Sequence, residues 1–272
     1  MRKKKQRIIP SIIGLIAAIT SLFPLLWMIM SGFKPSNEVM SYPFRFFPTE
    51  WTIENFVELF EDPGFFQSMG VTFVGAIIFA FLTILVNSMA AYAFARLKFP
   101  FKKALFFYCI LTMFIPQMAI LIPSYIVVAQ LNMLNTLFVL ILPGLASAMN
   151  MFLLRQFYTD IPTELDEAAV VDGASKIQIY TQIFIPLSKP IFVLVGTSSF
   201  LGYWNALIWP IMTISNPRLF QIMQYLSFFR SAQGSQWGLI MAGTTLAAMP
   251  AIILFMFFQK YLIQGIKLSG IK

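Results

Sequence analysis

Amide and aromatic side chains inside apolar stretches are the candidate solute contacts of this chain. Histidine is absent, and the single cysteine, Cys109, lies in an apolar run. Six such side chains fall inside long apolar stretches: Asn87, Gln117, Asn150, Tyr203, Trp204 and Asn205. Amides hydrogen-bond hydroxyl groups and aromatic faces pack on apolar rings, so these residues are candidates to line a path for a polyhydroxylated solute. The alternative is that the amides pair between helices and the rings pack. Neither a metal site nor a catalytic residue is predicted.

A second set of polar side chains lies in one stretch, residues 160–187, which holds five of the 11 acidic residues. The stretch is too long for a tight connection and should have its own structure. Thr163 is predicted to cap a first helix, with acidic residues in its first turns, and Gly173 is predicted to end it.

A second helix is predicted after the glycine. Ser175 and Gln178 have the spacing of a capping box, and Pro186 is expected to close the helix. Ile177, Tyr180 and Phe184 are expected on one face of it. The stretch therefore predicts a helix, a glycine turn and a helix.

The composition places these groups in a membrane. Hydrophobic residues make up 58% of the 272 residues and charged residues 11%, with a mean hydropathy of +0.78. Soluble domains carry about 25% charged residues, and a membrane span needs about 20 apolar ones. Six spans are predicted: residues 9–32, 69–95, 104–128, 137–156, 188–213 and 238–260. The expected fold class is an all-α membrane protein, with Pro116, Pro123 and Pro143 as candidate kinks.

The distribution of positive charge predicts an orientation. With the N-terminus inside, the inner segments hold 15 of the 19 Lys and Arg residues and the outer segments hold four. Lys and Arg mark the cytoplasmic side, so both termini and the stretch 160–187 are predicted there. The net charge of +8 is therefore explained by the orientation in the membrane, since most Lys and Arg residues lie in the inner segments. Nucleic acid is therefore not expected as a partner.

Acidic residues are absent from the predicted spans. A proton-coupled transporter usually keeps ionisable groups in its membrane core, so the energy source is expected in a partner. The chain has no G-x-x-x-x-G-K-[ST] phosphate loop and is not expected to hydrolyse ATP itself. A membrane enzyme is disfavoured, and no cofactor is expected on this chain.

The stretch 160–187 carries a resemblance to a known family. Glu167-Ala168-Ala169, followed at fixed spacing by Gly173 and by Ile183–Pro186, resembles the EAA loop of ATP-binding-cassette (ABC) importer permeases. The only departure is Ile185, where the family pattern has leucine. Shorter segments in the same order, such as 90–96 and 204–210, resemble the carbohydrate branch, and within it the shorter, six-helix permease of maltose-type importers. The resemblance covers nearly the whole chain.

The resemblance implies a type I importer fold in the bacterial cell membrane. It implies that the loop docks on a separate ATPase, which carries ATP and Mg²⁺, through Glu167, Ala168, Ala169, Asp172, Gly173, Ile183 and Pro186. The implied partners are a second homologous permease, a dimer of ATPase subunits, an extracytoplasmic solute-binding protein, membrane lipid and a sugar.

Three parts of the chain are expected: residues 1–66 with the first span and an external loop, a permease core at 67–262, and a cytoplasmic tail at 263–272. The segment 214–237 is expected to reach towards the binding protein. Two functional alternatives remain open at this point. One is an ABC permease for a solute other than sugar, and the other is a secondary transporter that works without ATP.

Overall fold

The computed structural model describes residues 2–229 and 236–270, with side chains over 10–229 and 236–260. The described residues are helical and contain no strand. The α-helices are α1 Arg2–Gly32, α2 Ser36–Val39, α3 Glu54–Glu61, α4 Pro63–Arg96, α5 Lys102–Leu111, α6 Leu121–Gln130, α7 Leu137–Ile141, α8 Ala148–Thr159, α9 Glu164–Val171, α10 Lys176–Ile179, α11 Ile185–Leu187, α12 Lys189–Trp204, α13 Ile208–Thr213, α14 Ile222–Phe229 and α15 Trp237–Gly270. Part of the segment 214–237 and the end of the tail 263–272 lie outside the described residues.

Three single helices are long and apolar enough to cross a membrane: Pro10–Gly32, Pro63–Arg96 and Trp237–Lys260. Three further pairs of helices pass the same test together but are bent at a short break. The described chain therefore has three candidate spans, or six if each bent pair is one span. The sequence predicted six spans. Three of them are single helices, and the predicted spans 104–128 and 137–156 correspond to bent pairs. The third pair, Lys176–Leu187 with Lys189–Trp204, is bent by 78° and begins in the predicted loop.

The predicted span 104–128 breaks at Ile115 and Pro116, where its two halves bend by 97°. Ile115 is extended, with φ −84° and ψ 118°, a conformation favoured for a residue before proline because the proline ring disfavours the helical region there. Pro116 therefore ends a helix rather than only kinking it. Pro123 lies in the first turn of α6, where its missing N–H breaks no intrahelical bond.

The predicted span 137–156 consists of α7, a 3₁₀ turn at Leu142–Gly144 and α8, bent by 48°. The predicted span 188–213 ends early, because α12 stops at Trp204 and α13 restarts at Ile208. A continuous helix would place the ring of Pro210 against the carbonyl group four residues earlier, and Pro210 cannot donate a hydrogen bond to it. In α13 the proline sits in the first turn, where neither problem arises.

The chain divides into two compact units, Met1–Gln67 with Tyr225–Pro250, and Ser68–Gln224 with Ala251–Lys272. In the first unit, Leu59, Phe65, Leu239 and Ala242 are buried. In the second unit, the buried core includes Leu154, Tyr158, Phe184 and Val195. This second core lies directly under the predicted loop. The division into residues 1–66, 67–262 and 263–272 stays a prediction.

Candidate functional site

The first half of the loop 160–187 is the short helix α9, which ends in a Schellman motif. Gly173 has φ +82°, its N–H donates to the carbonyl of Val170 at 3.0 Å, and Ala174 N–H donates to that of Ala169 at 2.9 Å. Only glycine adopts this left-handed geometry without strain, so the predicted stop at Gly173 is confirmed. Thr163 precedes α9, but its side chain makes no capping bond, and that part of the prediction is wrong. Its backbone is helical, whereas a capping side chain needs an extended residue.

The second half begins with the predicted capping box. Gln178 N–H donates to Ser175 Oγ at 3.3 Å, and Ser175 N–H donates to Gln178 Oε1 at 2.7 Å. The helix then widens into one π turn at Tyr180–Phe184, and Ile185 N–H donates to the Tyr180 carbonyl five residues back. The proline at 186 has no N–H for an ordinary i to i−4 bond, and the helix ends one residue later, at Leu187.

The loop has a buried side and an exposed side. Tyr180 and Phe184 are buried, but Ile177 is 75% exposed, so the prediction that all three lie on one face is wrong. Ile179, next to Tyr180 in the chain, is buried instead. The remaining predicted coupling residues divide similarly: Glu167, Ala168, Asp172, Gly173 and Pro186 are exposed, whereas Ala169 and Ile183 are half-buried.

Exposed apolar side chains accompany the predicted acidic and small residues. Val171 is 86% exposed and Ile177 75% exposed, on either side of Gly173. We call Glu167, Ala168, Val171 and Ile177 the outer surface of the loop. Exposed aliphatic groups beside a carboxylate are typical of a surface that another protein covers. The sequence carried a signal for Val171, since two valines stand between acidic residues before a helix-ending glycine.

Three residues of α4 hold the loop to the membrane helix. Ser88, Tyr92 and Arg96 are spaced four residues apart and therefore lie on one side of α4; we call them the α4 ladder. The Ser88 hydroxyl shares a hydrogen bond of 2.6 Å with the Tyr180 hydroxyl. The Tyr92 hydroxyl donates to the Lys176 carbonyl at 3.1 Å.

Arg96 makes the third and most polar contact of the ladder. Its guanidinium donates to the Ile161 carbonyl, lies 5.1 Å from the centre of the Phe184 ring, and places Nε 3.4 Å from Asp166 Oδ2. The two charged side chains are only 8% and 19% exposed. Sequence reasoning missed the ladder, although polar residues at four-residue intervals near the end of an apolar helix are a detectable signal.

An aromatic cluster fills the space between the loop and the spans. The ring of Phe184 lies 4.9 Å from Tyr92 and 5.1 Å from Tyr158 between ring centres, and Tyr92 lies 5.2 Å from Tyr180. Tyr158 belongs to α8, so the cluster joins α4, α8 and the second half of the loop. Such close-packed rings transmit a displacement because they cannot be compressed.

The polar residues predicted to line a solute path either make contacts within the chain or are exposed. Asn87 is 2% exposed and braces the break in the fourth span: its Nδ2 donates to the Leu145 carbonyl at 2.7 Å, and its Oδ1 accepts from Ser147 N–H at 2.9 Å. Asn150 reaches Ser199 of α12 at 3.5 Å. Gln117 is exposed just after Pro116.

The cluster at the end of α12 is divided between packing and exposure. The Trp204 ring stacks on Phe200 at 5.7 Å and is 2% exposed, while the Tyr203 ring packs against Phe79 at 5.4 Å. Asn205 is exposed and donates to the Leu201 carbonyl at 2.9 Å, which ends the helix. Contact of these residues with a solute stays a prediction.

Comparison with known proteins agrees with this architecture. Residues 87–268 match the family described as "Binding-protein-dependent transport system inner membrane component". The chain is 33% identical over 259 residues to a probable ABC transporter permease protein, YurM, of Bacillus subtilis, covering 93% of this chain and 85% of the relative. It is 29% identical over 258 residues to the arabinooligosaccharides transport system permease protein AraQ of Halalkalibacterium halodurans, covering 94% and 92%.

A solved structure shares the fold. It is the crystal structure of a bacterial ABC transporter involved in the import of the acidic polysaccharide alginate, with a TM-score of 0.85 and 20% identity, covering 96% of this chain and 97% of that one. The family match spans the α4 ladder, the loop and most of α15. This chain is therefore a membrane protein that belongs to the inner membrane component family of binding-protein-dependent transport systems.

Proposed function

We propose that this chain is a membrane-spanning subunit of an ATP-driven importer for a sugar or oligosaccharide. The observation that carries the proposal is the loop 160–187, which presents exposed acidic and apolar side chains outward and is tied to α4 by the buried ladder. The solute class is supported by two similar proteins, an arabinooligosaccharides transport system permease and an ABC transporter involved in the import of the acidic polysaccharide alginate.

In this proposal two of the bent pairs are spans, α5 with α6 and α7 with α8, and α12 with α13 forms another. This gives six spans with both termini in the cytoplasm and the loop 160–187 on the same side. The outer surface of the loop docks on an ATPase subunit, and the dimer of these subunits holds ATP and Mg²⁺. This chain supplies no catalytic residue and binds no cofactor. A second permease completes the pathway, and an extracytoplasmic binding protein delivers the solute.

The ladder and the aromatic cluster give this docking a mechanical consequence. A displacement of the loop reaches α4 through Ser88, Tyr92 and Arg96, and reaches α8 through the ring of Tyr158. Closure of the ATPases would then tilt these spans together and alternate the access of the pathway. No ionisable side chain within the spans is required.

Cross-linking tests the docking surface. We would place a cysteine at Val171 in a Cys109→Ser background and assemble the full importer in proteoliposomes. A cross-linker with a maleimide at one end and a lysine-reactive succinimidyl ester at the other is expected to link Val171→Cys to a lysine of the ATPase. Leu131→Cys, 63% exposed in a loop predicted on the other side of the membrane, is the matched control and should give no link. A link from position 131 alone would reverse the topology.

Uptake by the same proteoliposomes tests the solute. Radiolabelled oligosaccharides, amino acids and inorganic phosphate would be compared with ATP and with a non-hydrolysable analogue. ATP-dependent uptake of at least one oligosaccharide is expected. Uptake of amino acids or phosphate alone would leave the importer assignment intact and overturn the sugar assignment. Uptake that is equal without ATP would identify a secondary transporter.

A further inference from the structure

We propose that a groove between α5 and α8 binds an anionic phospholipid, with the phosphate at its basic end and an acyl chain along its apolar wall. The groove has a volume of about 580 Å³ and is lined by Lys102, Lys103, Arg155 and the rings of Phe106, Phe107 and Phe152, among others. It lies within one compact unit of the chain. The inference does not depend on which solute is transported.

The basic end of the groove is held in place by the last turn of α4. Lys102 Nζ donates to the carbonyls of Leu97 at 2.8 Å and Ala95 at 3.3 Å. Arg155 Nε donates to the Phe94 carbonyl at 3.3 Å, and its guanidinium lies 4.1 Å from the centre of the Phe106 ring. These contacts fix two cations at one place and leave the terminal nitrogens of Arg155 without a partner in the described part of the chain.

The positive charge of this end is not balanced by carboxylates. Arg96 and Asp166 form an ion pair, but neither lines the groove, and no Asp or Glu is among the described residues that line it. Lys103 makes no hydrogen bond or ion pair within the described part of the chain. The carbonyls at the end of α4 offset only about half a charge. Three cations around one groove therefore call for an anion with more than one oxygen, as a phosphate has.

The remainder of the groove is apolar and open to the surroundings. Phe106 lies one helical turn from Lys102, about 6 Å along α5, and Phe152 lies one turn from Arg155 on α8. Phe107 is 62% exposed and Phe152 is 36% exposed. A soluble phosphate has no apolar group to pack against these rings, whereas the acyl chain of a phospholipid does.

The groove is also at the correct depth for a headgroup. Lys102 begins one of the bent spans, Lys102–Phe114 with Gln117–Gln130, so the cations stand at the end of the apolar segment and the rings stand inside it. Basic pockets between membrane helices at this level bind anionic lipid headgroups. The arrangement of charge outside and aromatic wall inside matches an amphiphile that stands along the helices.

Native mass spectrometry of the purified full chain tests the inference. The probes are dioleoylphosphatidylglycerol, dioleoylphosphatidylcholine with the same chains, and glycerol 3-phosphate without chains. We expect retention of one phosphatidylglycerol and little retention of the other two. Lys103→Gln should weaken retention about fivefold and Lys103→Glu about 30-fold, from the attraction of one basic residue for an anionic lipid. Lys103 has no partner to lose, so these variants should fold.

Lys189→Gln is the matched control, because it removes an exposed lysine at a helix end outside the groove. It should leave phosphatidylglycerol retention unchanged. Equal retention of the two lipids, or an equal loss in Lys189→Gln and Lys103→Gln, would overturn the proposal. Competition by millimolar glycerol 3-phosphate would show that the basic end takes a soluble phosphate, which also contradicts a lipid site.

Discussion

Arg96 at the end of α4 pairs with Asp166 in α9, with Nε 3.4 Å from Oδ2 and both side chains largely buried. The pair lies where a membrane helix meets the loop that the proposal assigns to the ATPase. Removal of one partner would leave the other charge buried without compensation, which is more costly than removing both. This asymmetry makes the pair testable.

Arg96→Gln is expected to weaken coupling. Loss of the guanidinium leaves Asp166 unpaired and destabilises the loop against α4 by about 3 kcal/mol. ATP-driven uptake by the assembled importer should fall at least tenfold, while ATP hydrolysis persists. Uptake and hydrolysis would be measured on the same proteoliposomes.

The double variant Arg96→Gln with Asp166→Asn is the control for that prediction. It removes both charges and should recover part of the uptake that the single variant loses. An additive loss in the double variant would show that the two side chains act independently, contrary to the proposed link.

Gly173 should tolerate asparagine better than leucine. Its φ of +82° strains any side chain by about 1–2 kcal/mol, although no atom lies within 4 Å of the position of a new Cβ. Gly173→Leu is expected to uncouple transport and leave insertion intact, whereas Gly173→Asn should retain most of the uptake because asparagine adopts left-handed geometry. Uptake per inserted chain is the measurement.

Gly202→Ala provides a comparison for the glycine series. Gly202 also has open space around it but lies inside α12 without positive φ, so alanine should be neutral or stabilising. Equal uptake by Gly173→Leu and wild type would contradict the importance of the turn.

Asn87→Leu should lower the stability of the chain rather than change its affinity for the solute. The variant leaves the Leu145 carbonyl and the Ser147 N–H without their amide partner, at a cost of about 2 kcal/mol. The midpoint of thermal unfolding of the detergent-purified chain should fall. Gln117→Leu, at an exposed position, should change the stability by less than about 0.5 kcal/mol.

The same two variants separate bracing from solute contact. If Asn87 braces the break in the fourth span, uptake by the surviving folded protein keeps its half-saturating solute concentration. A raised half-saturating concentration with unchanged thermal stability would instead place Asn87 on the solute path.

The stability of the loop after α1 is expected to fall at acidic pH because of Glu38. Desolvation opposes ionisation, but hydrogen bonds from the Thr49 N–H and hydroxyl, with the charge of Lys34, lower the pKa of Glu38. Because the pKa of Glu38 is lowered in the folded state, ionised Glu38 contributes to the stability of that state. This contribution is full above the ordinary pKa of 4.5 and is lost as the pH falls through the lowered pKa.

Glu38→Gln checks this sign, since glutamine has the same shape but cannot ionise. Thermal unfolding of both proteins would be compared between neutral pH and pH 4. The wild type should be the more stable at neutral pH, and the difference should shrink on acidification. A constant difference across this range would rule out ionisation of Glu38 as its cause.

Local signals in the sequence predicted local structure well. Gly173, and Ser175 with Gln178, each act through neighbours within a few residues, so the turn and the capping box are where the sequence placed them. The apolar runs likewise predicted membrane helices. The break at Pro116 was detectable as a candidate kink, but its 97° bend depends on how the two halves pack.

Contacts between distant residues were beyond this kind of reasoning. From the sequence, Asn87 is a polar group in a span that could contact a solute. Its hydrogen-bond partners in the structure lie 58 and 60 residues away in the chain. The ladder likewise joins residues up to 92 positions apart. The predicted face of the second loop helix was wrong for a related reason, since Ile179 rather than Ile177 belongs to the buried core with Tyr180 and Phe184.

The spacing of the ladder has a geometric consequence. Residues four apart on an α-helix advance by about 6 Å along the axis and by about 40° around it, so the three contacts wind over about 12 Å and 80° of α4. Three anchor points that do not lie on one line leave no hinge axis between the loop and the helix. A torque applied to the loop would therefore roll α4 about its own axis as well as tilt it.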